Sequence, residues 1–227
     1  MLVMCGRFGL WADSRQIAEE FRLGEIPDFR PAYNIAPSQN IPAVGQGREG
    51  ERSFARLVWG LKPHWFKQGG GDYKMINARA ESMFDKPAFK AAARKRRCLI
   101  PASCFFEWQK QEQGAKQPYC IRPAKGDLFA FAGIWEYLED PDSQETIYTC
   151  AIVTTRANEA VQPLHNRMPV IVHRDSYSLW LDKSVQEPRF LKAIFEPVPG
   201  RSLKIHKVGL RLNNPANDDQ GLVVPVN

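Results

Sequence analysis

The feature that most constrains the fold is a series of eight short segments rich in aromatic and β-branched residues. Each has the length of an ordinary β-strand, and turn-forming residues separate most of them. The segments are residues 53–59, 98–100, 104–108, 119–122, 128–137, 146–155, 168–173 and 203–208. The Ala-Lys-Gly-Asp sequence at 124–127 predicts a hairpin turn, and links of hairpin length favour antiparallel pairing.

Helices take a smaller share of the sequence. Helical patterns occur at residues 13–23, 86–97, 174–181 and 187–195. Asp13 or Ser14 suits the N-cap of the first, and Pro87 suits the first turn of the second. No repeat or long linker divides the 227 residues, so we predict one domain over residues 1–227. The predicted fold class is α+β, with a curved, barrel-like, mostly antiparallel β-sheet and peripheral helices.

The charge of the chain favours a polyanionic partner such as nucleic acid. The net charge is +6 and the pI is about 9.1. The densest basic run, residues 94–97, suits either phosphate contacts or a solvated helix end. No apolar run approaches the roughly 20 residues that cross a bilayer, and the start lacks the pattern of a secretion signal. We therefore expect a cytoplasmic protein without a membrane segment.

The cysteines argue against a disulfide framework or a metal site. The chain has five, an odd number, and none lies in a CxxC pair or in a Cys/His cluster with zinc spacing. We expect neither a metal nor another cofactor. Four of the five, which lie in apolar strand-like segments, are expected to be small buried hydrophobic residues: Cys98, Cys104, Cys120 and Cys150.

Six motifs follow one another along the chain. They are MCGRF at 4–8, YNIAPS at 33–38, WGL at 59–61 with Trp65, NARAE at 77–81, RCLIPA at 97–102 running into FEW at 106–108, and HNRMP at 165–169. Together they closely resemble the SRAP family (SOS response-associated peptidase), whose members act on abasic sites in single-stranded DNA and protect them. The resemblance extends from Cys5 to about residue 210, the expected core of one SRAP-type domain. It implies a DNA-damage function for a protein that we expect to be a monomer.

The resemblance also implies a role for each matching residue. Cys5 matches the family's characteristic second residue, which becomes the N-terminus when the initiator methionine is removed. The polar residues of the family's active site match Asn77, Glu107 and His165. The groups that hold DNA near the lesion match Arg7, Trp65, Arg79 and Arg167.

The chemistry of a terminal cysteine suits an abasic site. The abasic sugar is in equilibrium with an open-chain aldehyde, which a free α-amine can attack to form an imine. An α-amine has a pKa of about 7.7–8.0, so a useful fraction is unprotonated at neutral pH. The thiol of the same residue can then close a five-membered thiazolidine. Only an N-terminal cysteine supplies both nucleophiles, because an amide nitrogen is not nucleophilic.

Each of these residues also has an ordinary structural interpretation. Cys5 taken alone suits a buried thiol, and His165 taken alone suits a structural histidine. Glu107 lies on the strand face opposite Phe106 and Trp108, where it could either face the Cys5 amine or point into water from an edge strand. The other polar candidates suit turn or surface positions, and Trp65 suits the core.

The chain departs from the family pattern at its start. Met1-Leu2-Val3 precede Met4, and the chemistry requires that residues 1–4 be absent. Either translation begins at Met4 and that residue is clipped off, or the protein removes residues 1–4 itself. Asn166 also replaces the acid that is more usual between His165 and Arg167, and Cys104 stands where glycine is common.

Three functional hypotheses follow. The first is a lyase-like activity that crosslinks the protein to abasic sites and shields the strand. The second is an N-terminal-nucleophile peptidase, a hydrolase that uses Cys5 to cleave the bond before it. The third is a plain single-strand-binding module that uses arginine and tryptophan without chemistry.

Overall fold

The computed structural model describes residues 5–47, 49–65, 75–139 and 145–226. The strands in these ranges are β1 (Phe8–Leu10), β2 (Ala32–Ile35), β3 (Asn40–Gln46), β4 (Arg52–Trp59), β5 (Asn77–Arg79), β6 (Arg97–Ala102), β7 (Cys104–Gln109), β8 (Gln117–Pro123), β9 (Phe129–Glu139), β10 (Thr146–Arg156), β11 (Arg167–Pro169) and β12 (Leu203–Lys207). The α-helices are α1 (Ser14–Phe21), α2 (Lys90–Lys95), α3 (Tyr177–Leu181) and α4 (Pro188–Leu191). Short 3-10 helices cover Arg174–Ser176, Lys192–Phe195, Gly200–Ser202, Leu210–Asn213 and Gln220–Val223.

Five strands close into a barrel. The hydrogen-bonded ring runs through β4, β3, β6, β9 and β10 and returns to β4. Its pairs are antiparallel except for β10 with β4, where Cys150 pairs with Trp59. The last residues of β10 also pair with β5 on one side and β11 on the other, so that Thr154 lies between Arg79 and Pro169. The expected α+β fold with a barrel-like, mostly antiparallel sheet is confirmed.

A second, antiparallel sheet covers one side of the barrel. Its strand order is β12-β8-β7-β1-β2. Phe8 of β1 packs edge-on against Trp59 of the barrel with ring centroids 5.3 Å apart, and Phe105 of β7 packs in the same way on Phe131 at 6.0 Å. All four rings are almost completely buried, and burying each side chain contributes about 1.5–3 kcal/mol. This packing fixes β1 and β7, the strands beside the candidate site, against a rigid barrel.

All eight predicted strand segments overlap a strand, and the first helix has one of the two predicted N-cap residues. Asp13 accepts a hydrogen bond from the Gln16 amide at 2.8 Å, and Gln16 Oε1 accepts one from the Asp13 amide at 3.0 Å, which forms a capping box. No helix in the described part of the chain is long and apolar enough to cross a membrane.

Two local predictions were wrong. The turn at 124–127 does not close a hairpin, because β8 pairs with β7 and β12 whereas β9 pairs with β6 and β10. It carries the chain from one sheet to the other. The helix predicted at 86–97 is shorter and covers only Lys90–Lys95, since turns occupy residues 87–89 and the backbone leaves the helix at Arg96 to begin β6.

Candidate active site

Cys5 lies three residues before the start of β1 and contacts the central strand of the second sheet. Phe8 pairs with Phe105, which brings the start of β1 alongside the later residues of β7. The backbone nitrogen of Cys5 donates a hydrogen bond to Glu107 Oε1 at 3.1 Å. Both residues are only 3% exposed, and β7 has a partner strand on each side. The alternative in which Glu107 points into water from an edge strand is therefore excluded.

Burial gives the Glu107 carboxyl an unusual pKa. Removal from water raises its pKa to about 7, although hydrogen bonds from Cys5 oppose the rise. Burial also raises the pKa of the Cys5 thiol, and the nearby Glu107 charge raises it further. The Cys5 thiol is therefore neutral near neutral pH. The carboxyl can take up and release a proton in that range, as a general acid–base group must.

The HNRMP segment lies on the other side of Cys5. The Cys5 thiol donates a long hydrogen bond to the Arg167 carbonyl oxygen, with 3.9 Å from Sγ to oxygen. The Arg167 amide donates to His165 Nδ1 at 3.0 Å, so the neutral imidazole carries its proton on Nε2. Burial lowers the pKa of His165, which keeps the ring neutral near neutral pH. The structure thus brings Cys5, Glu107 and the 165–167 segment together.

The side chain of Arg167 is held in a fixed position. Its guanidinium forms two hydrogen bonds with the Glu81 carboxylate at 2.6 and 2.8 Å, and a third with the Thr154 carbonyl at 2.7 Å. The pKa of Glu81 is lowered, chiefly by its hydrogen bonds from Arg167. Glu81 belongs to the NARAE motif, but sequence reasoning gave it no role. The motif itself was the signal that could have revealed it.

Asn77 and Arg79 reach the same region on β5. They flank the buried Ala78, so their side chains share one face of the strand. Asn77 is partly buried, whereas Arg79 is exposed to solvent. Because β5 and β11 both pair with the end of β10, the NARAE and HNRMP motifs flank the same few residues.

Arg7, which was predicted to contact DNA, makes hydrogen bonds within the protein. Its Nη1 donates to Asn34 Oδ1 at 2.6 Å and to the Leu212 carbonyl at 3.1 Å, and its guanidinium lies 5.8 Å from the centre of the Trp108 ring. The Asn34 amide in turn donates to the Asn217 carbonyl at 2.8 Å. Arg7 therefore ties the C-terminal segment to the second sheet, and its partner Asn34 was missed from sequence.

Trp65 is 54% exposed, so the interpretation as a core residue is excluded. It lies at the end of the described segment 49–65, next to His64. The four cysteines expected to be buried are indeed buried and free, as is Cys5: Cys98, Cys104, Cys120 and Cys150. Residues 1–4, whose removal the chemistry requires, lie outside the described residues.

The backbone of Cys5 adopts a left-handed conformation, with φ at 40°. A residue with a β-carbon seldom adopts this region, and such a conformation costs roughly 1–3 kcal/mol. The torsion φ is measured from the carbonyl carbon of residue 4, so this strain exists only while Cys5 is joined to the preceding residue. The strain therefore lies next to the bond between residues 4 and 5.

Comparison with known proteins agrees with the motifs. The family model of the SOS response associated peptidase (SRAP) matches residues 4–215. Abasic site processing protein YoqW of Bacillus subtilis (strain 168) is 37% identical over 223 residues, which cover 97% of this chain and 99% of that protein. Abasic site processing protein HMCES of Gallus gallus is 31% identical over 242 residues, which cover 93% of this chain and 70% of that protein.

Solved structures share the fold. An X-ray structure of a protein from Bacteroides thetaiotaomicron superimposes with a TM-score of 0.87 at 22% identity, covering 98% of this chain and all of that chain. A phage-related protein from Bordetella bronchiseptica gives a TM-score of 0.73 at 27% identity, covering 90% of this chain and 94% of that chain. With a family model that matches most of its length and relatives above 30% identity, the chain belongs to the SRAP family.

Proposed function

We propose that this protein processes abasic sites in single-stranded DNA by forming a thiazolidine crosslink through Cys5, once residues 1–4 are absent. The observation that carries the proposal is the buried 3.1 Å contact between the Cys5 nitrogen and Glu107. The nitrogen that must attack lies beside a carboxyl whose pKa is about 7, and the thiol is on the same residue. Relatives named abasic site processing proteins support the choice of substrate.

The reaction is a condensation of an aldehyde with an aminothiol. The lone pair of the Cys5 amine attacks C1′ of the open-chain sugar, and the carbonyl oxygen takes up a proton. Loss of that oxygen as water gives an imine. Sγ then attacks the same carbon while the thiol proton passes to nitrogen, which closes a ring of C1′, Sγ, Cβ, Cα and N. One water molecule is released, and nothing is oxidised or reduced.

Glu107 is suited to the proton transfers on nitrogen. A protonated α-amine beside it would pair with its carboxylate, and the pair would share a proton near neutral pH. Glu107 can accept the proton that the amine must lose before attack, and it can return a proton when the carbonyl oxygen leaves. His165 is suited to the sugar side of the reaction, since its Nδ1 is occupied by the Arg167 amide and its Nε2–H remains as a donor.

The DNA-binding residues divide into two groups in this proposal. Arg79 and Trp65 are exposed, so they can contact a phosphate and stack on a base, respectively. Arg7 and Arg167 are engaged in hydrogen bonds within the protein, so in this proposal they position the site.

The test is a crosslinking assay with an oligonucleotide that carries one abasic site. Protein that begins at Cys5 should give a shifted band on a denaturing gel. Cys5→Ser keeps the amine but lacks the thiol, so it should give a stable band only after borohydride reduction of the imine. Protein shown by intact mass to retain residues 1–4 throughout the incubation is the matched control and should give no band. An equally strong band from that blocked form would contradict the proposal.

Self-removal of residues 1–4 is a second activity that a specific observation favours. The left-handed conformation of Cys5 places strain next to the bond between residues 4 and 5, and breaking that bond relieves it. In this route Sγ attacks the carbonyl carbon of residue 4, the amide nitrogen leaves as the Cys5 amine, and water hydrolyses the thioester. Intact-mass measurement distinguishes self-removal of residues 1–4 from their removal by other means. Self-removal predicts that Cys5→Ala and Glu107→Gln retain residues 1–4. Processing by other means predicts that Glu107→Gln begins at Cys5.

A further inference from the structure

Two exposed tyrosines and the partly buried Trp135 form an aromatic patch on the outside of the barrel, on residues that are not part of the candidate active site. Tyr137 of β9 lies directly opposite Tyr148 of β10, and Trp135 lies two residues before Tyr137 on the same face. The Trp135 ring centroid is 6.5 Å from that of Tyr137 and 6.0 Å from that of Tyr148. Tyr137 is 48% exposed and Tyr148 is 46% exposed. We call these three residues the aromatic platform.

A basic depression borders the platform on the Tyr137 side. It encloses about 760 Å³, and the cations that line it are Lys90, Arg94, Lys95 and Arg96. Its acidic residues are Glu136, which is buried and paired with Arg96 at 2.6 Å, and Glu139. The Arg96 guanidinium also lies 5.8 Å from the centre of the Tyr137 ring. Cations therefore outnumber acids beside the exposed rings.

A smaller groove of about 220 Å³ borders the platform on the opposite side. Trp135 and Tyr148 form part of its wall, and small residues such as Gly45 and Ser53 keep it shallow. Arg56 and Lys183 also line it. Positive charge thus borders the aromatic rings on both sides.

The basic depression lies next to Trp65, a residue to which the family resemblance gives a DNA-binding role. His64 lies at the edge of the basic depression, with its Nδ1 3.5 Å from Glu136 Oε2. The next residue is the exposed Trp65. A strand that passes Trp65 on leaving the lesion would meet the basic depression and then the platform.

We propose that the aromatic platform binds the single-stranded DNA that flanks the lesion, with bases on Tyr137 and Tyr148 and phosphates at the cations of the basic depression. Exposed rings between rows of positive charge suit a single strand, whose unpaired bases offer flat faces and whose backbone is anionic. A paired duplex would hide those faces. The identification of the ligand as DNA rests on the proposed function, whereas the binding itself requires no chemistry at Cys5.

The test uses Cys5→Ala protein and an unmodified single strand of about 20 nucleotides, so that no crosslink forms. Fluorescence anisotropy measures the Kd. Stacking of one base on an aromatic side chain accounts for roughly a tenfold change in affinity. Tyr137→Ala with Tyr148→Ala should therefore weaken binding about tenfold or more. Tyr137→Phe with Tyr148→Phe keeps the rings and should bind as the parent does.

Lys90→Glu with Lys95→Glu should weaken binding and make it less sensitive to salt.

The matched control is Phe190, which is 57% exposed and has the Arg189 guanidinium 4.8 Å from its ring centre; neither residue lines the basic depression or the smaller groove. Phe190→Ala with Arg189→Glu should leave the Kd unchanged. If the platform variants bind no more weakly than this control, the inference is wrong, and loss of self-association instead of DNA binding would also overturn it. Crosslinking to a short abasic oligonucleotide by platform variants that begin at Cys5 separates this failure from failure of the proposed function.

Discussion

Replacing Glu107 with glutamine should change how stability depends on pH. Burial raises the pKa of the carboxyl from its usual 4.5 to about 7 in the form whose Cys5 nitrogen is an amide. Between these two values the folded protein keeps the proton and the unfolded chain loses it. Stability therefore falls as pH rises through this range, which is the opposite of the usual behaviour of a salt-bridged carboxylate.

The size of the effect follows from the shift. The difference between 4.5 and about 7 corresponds to about 3 kcal/mol, of which about 2.5 kcal/mol falls between pH 5 and pH 8. Glutamine fills the same space and carries no charge, so its variant avoids this loss. We expect Glu107→Gln to gain about 2.5 kcal/mol relative to the parent when the pH rises from about 5 to about 8.

Urea denaturation at the two pH values measures the difference. Both proteins should carry Cys5→Ala and retain residues 1–4, so that the nitrogen of residue 5 stays an amide. This substitution removes a thiol hydrogen bond that lowers the Glu107 pKa, so the expected change is at least as large. The reasoning is refuted if the stability difference between parent and variant is the same at both pH values, or if it changes in the opposite direction. With a free terminal amine beside Glu107 the change should shrink, because a protonated amine would stabilise the carboxylate.

Three further changes test other parts of the site. Trp65→Ala should weaken binding to single-stranded DNA by roughly tenfold, because an exposed stacking surface is lost; its urea midpoint should stay unchanged, and Trp65→Phe should retain most of the affinity. Asn34→Ala should lower the free energy of unfolding by about 1–3 kcal/mol in urea titrations, since it removes the hydrogen bonds of the buried Asn34 side chain to Arg7 and to the C-terminal segment. Glu81→Gln should slow crosslinking on the gel because it loosens Arg167, while stability changes by at most about 1 kcal/mol, as expected for a partly exposed ion pair.

The longer strands could be predicted from sequence because their patterns are local. β9 and β10 have eleven residues each, which is enough for aromatic and β-branched side chains to show the pattern. The strands that were missed are short or contain residues that count against a strand. β1 and β5 have three residues each, and β3 contains Pro42 and Gly45.

The pairing of strands was less predictable than their positions along the chain. Turn chemistry at 124–127 correctly indicated a turn, but it carried no information on which sheet each flanking strand joins. β8 pairs with the preceding strand β7 and with the distant β12, whereas β9 pairs with the following strand β10 and with β6, so neither has an edge left for the other.

The site was predictable as a set of residues but not as an arrangement. The motifs named Cys5 and Glu107, which lie 102 positions apart, yet nothing in the sequence required that they touch. The partners of the arginines were missed for the same reason. Asn34 holds Arg7 and Glu81 holds Arg167 through contacts between distant segments, and a polar residue taken alone does not reveal such a role.

The most direct test of the central claim is mass spectrometry of the protein–DNA adduct after digestion of both components. The account predicts that the sugar remnant is on the tryptic peptide Cys5-Gly6-Arg7, that this peptide begins at Cys5, and that its mass equals peptide plus aldehyde minus one water. A remnant attached to a lysine, or to a peptide that still carries residues 1–4, would contradict it.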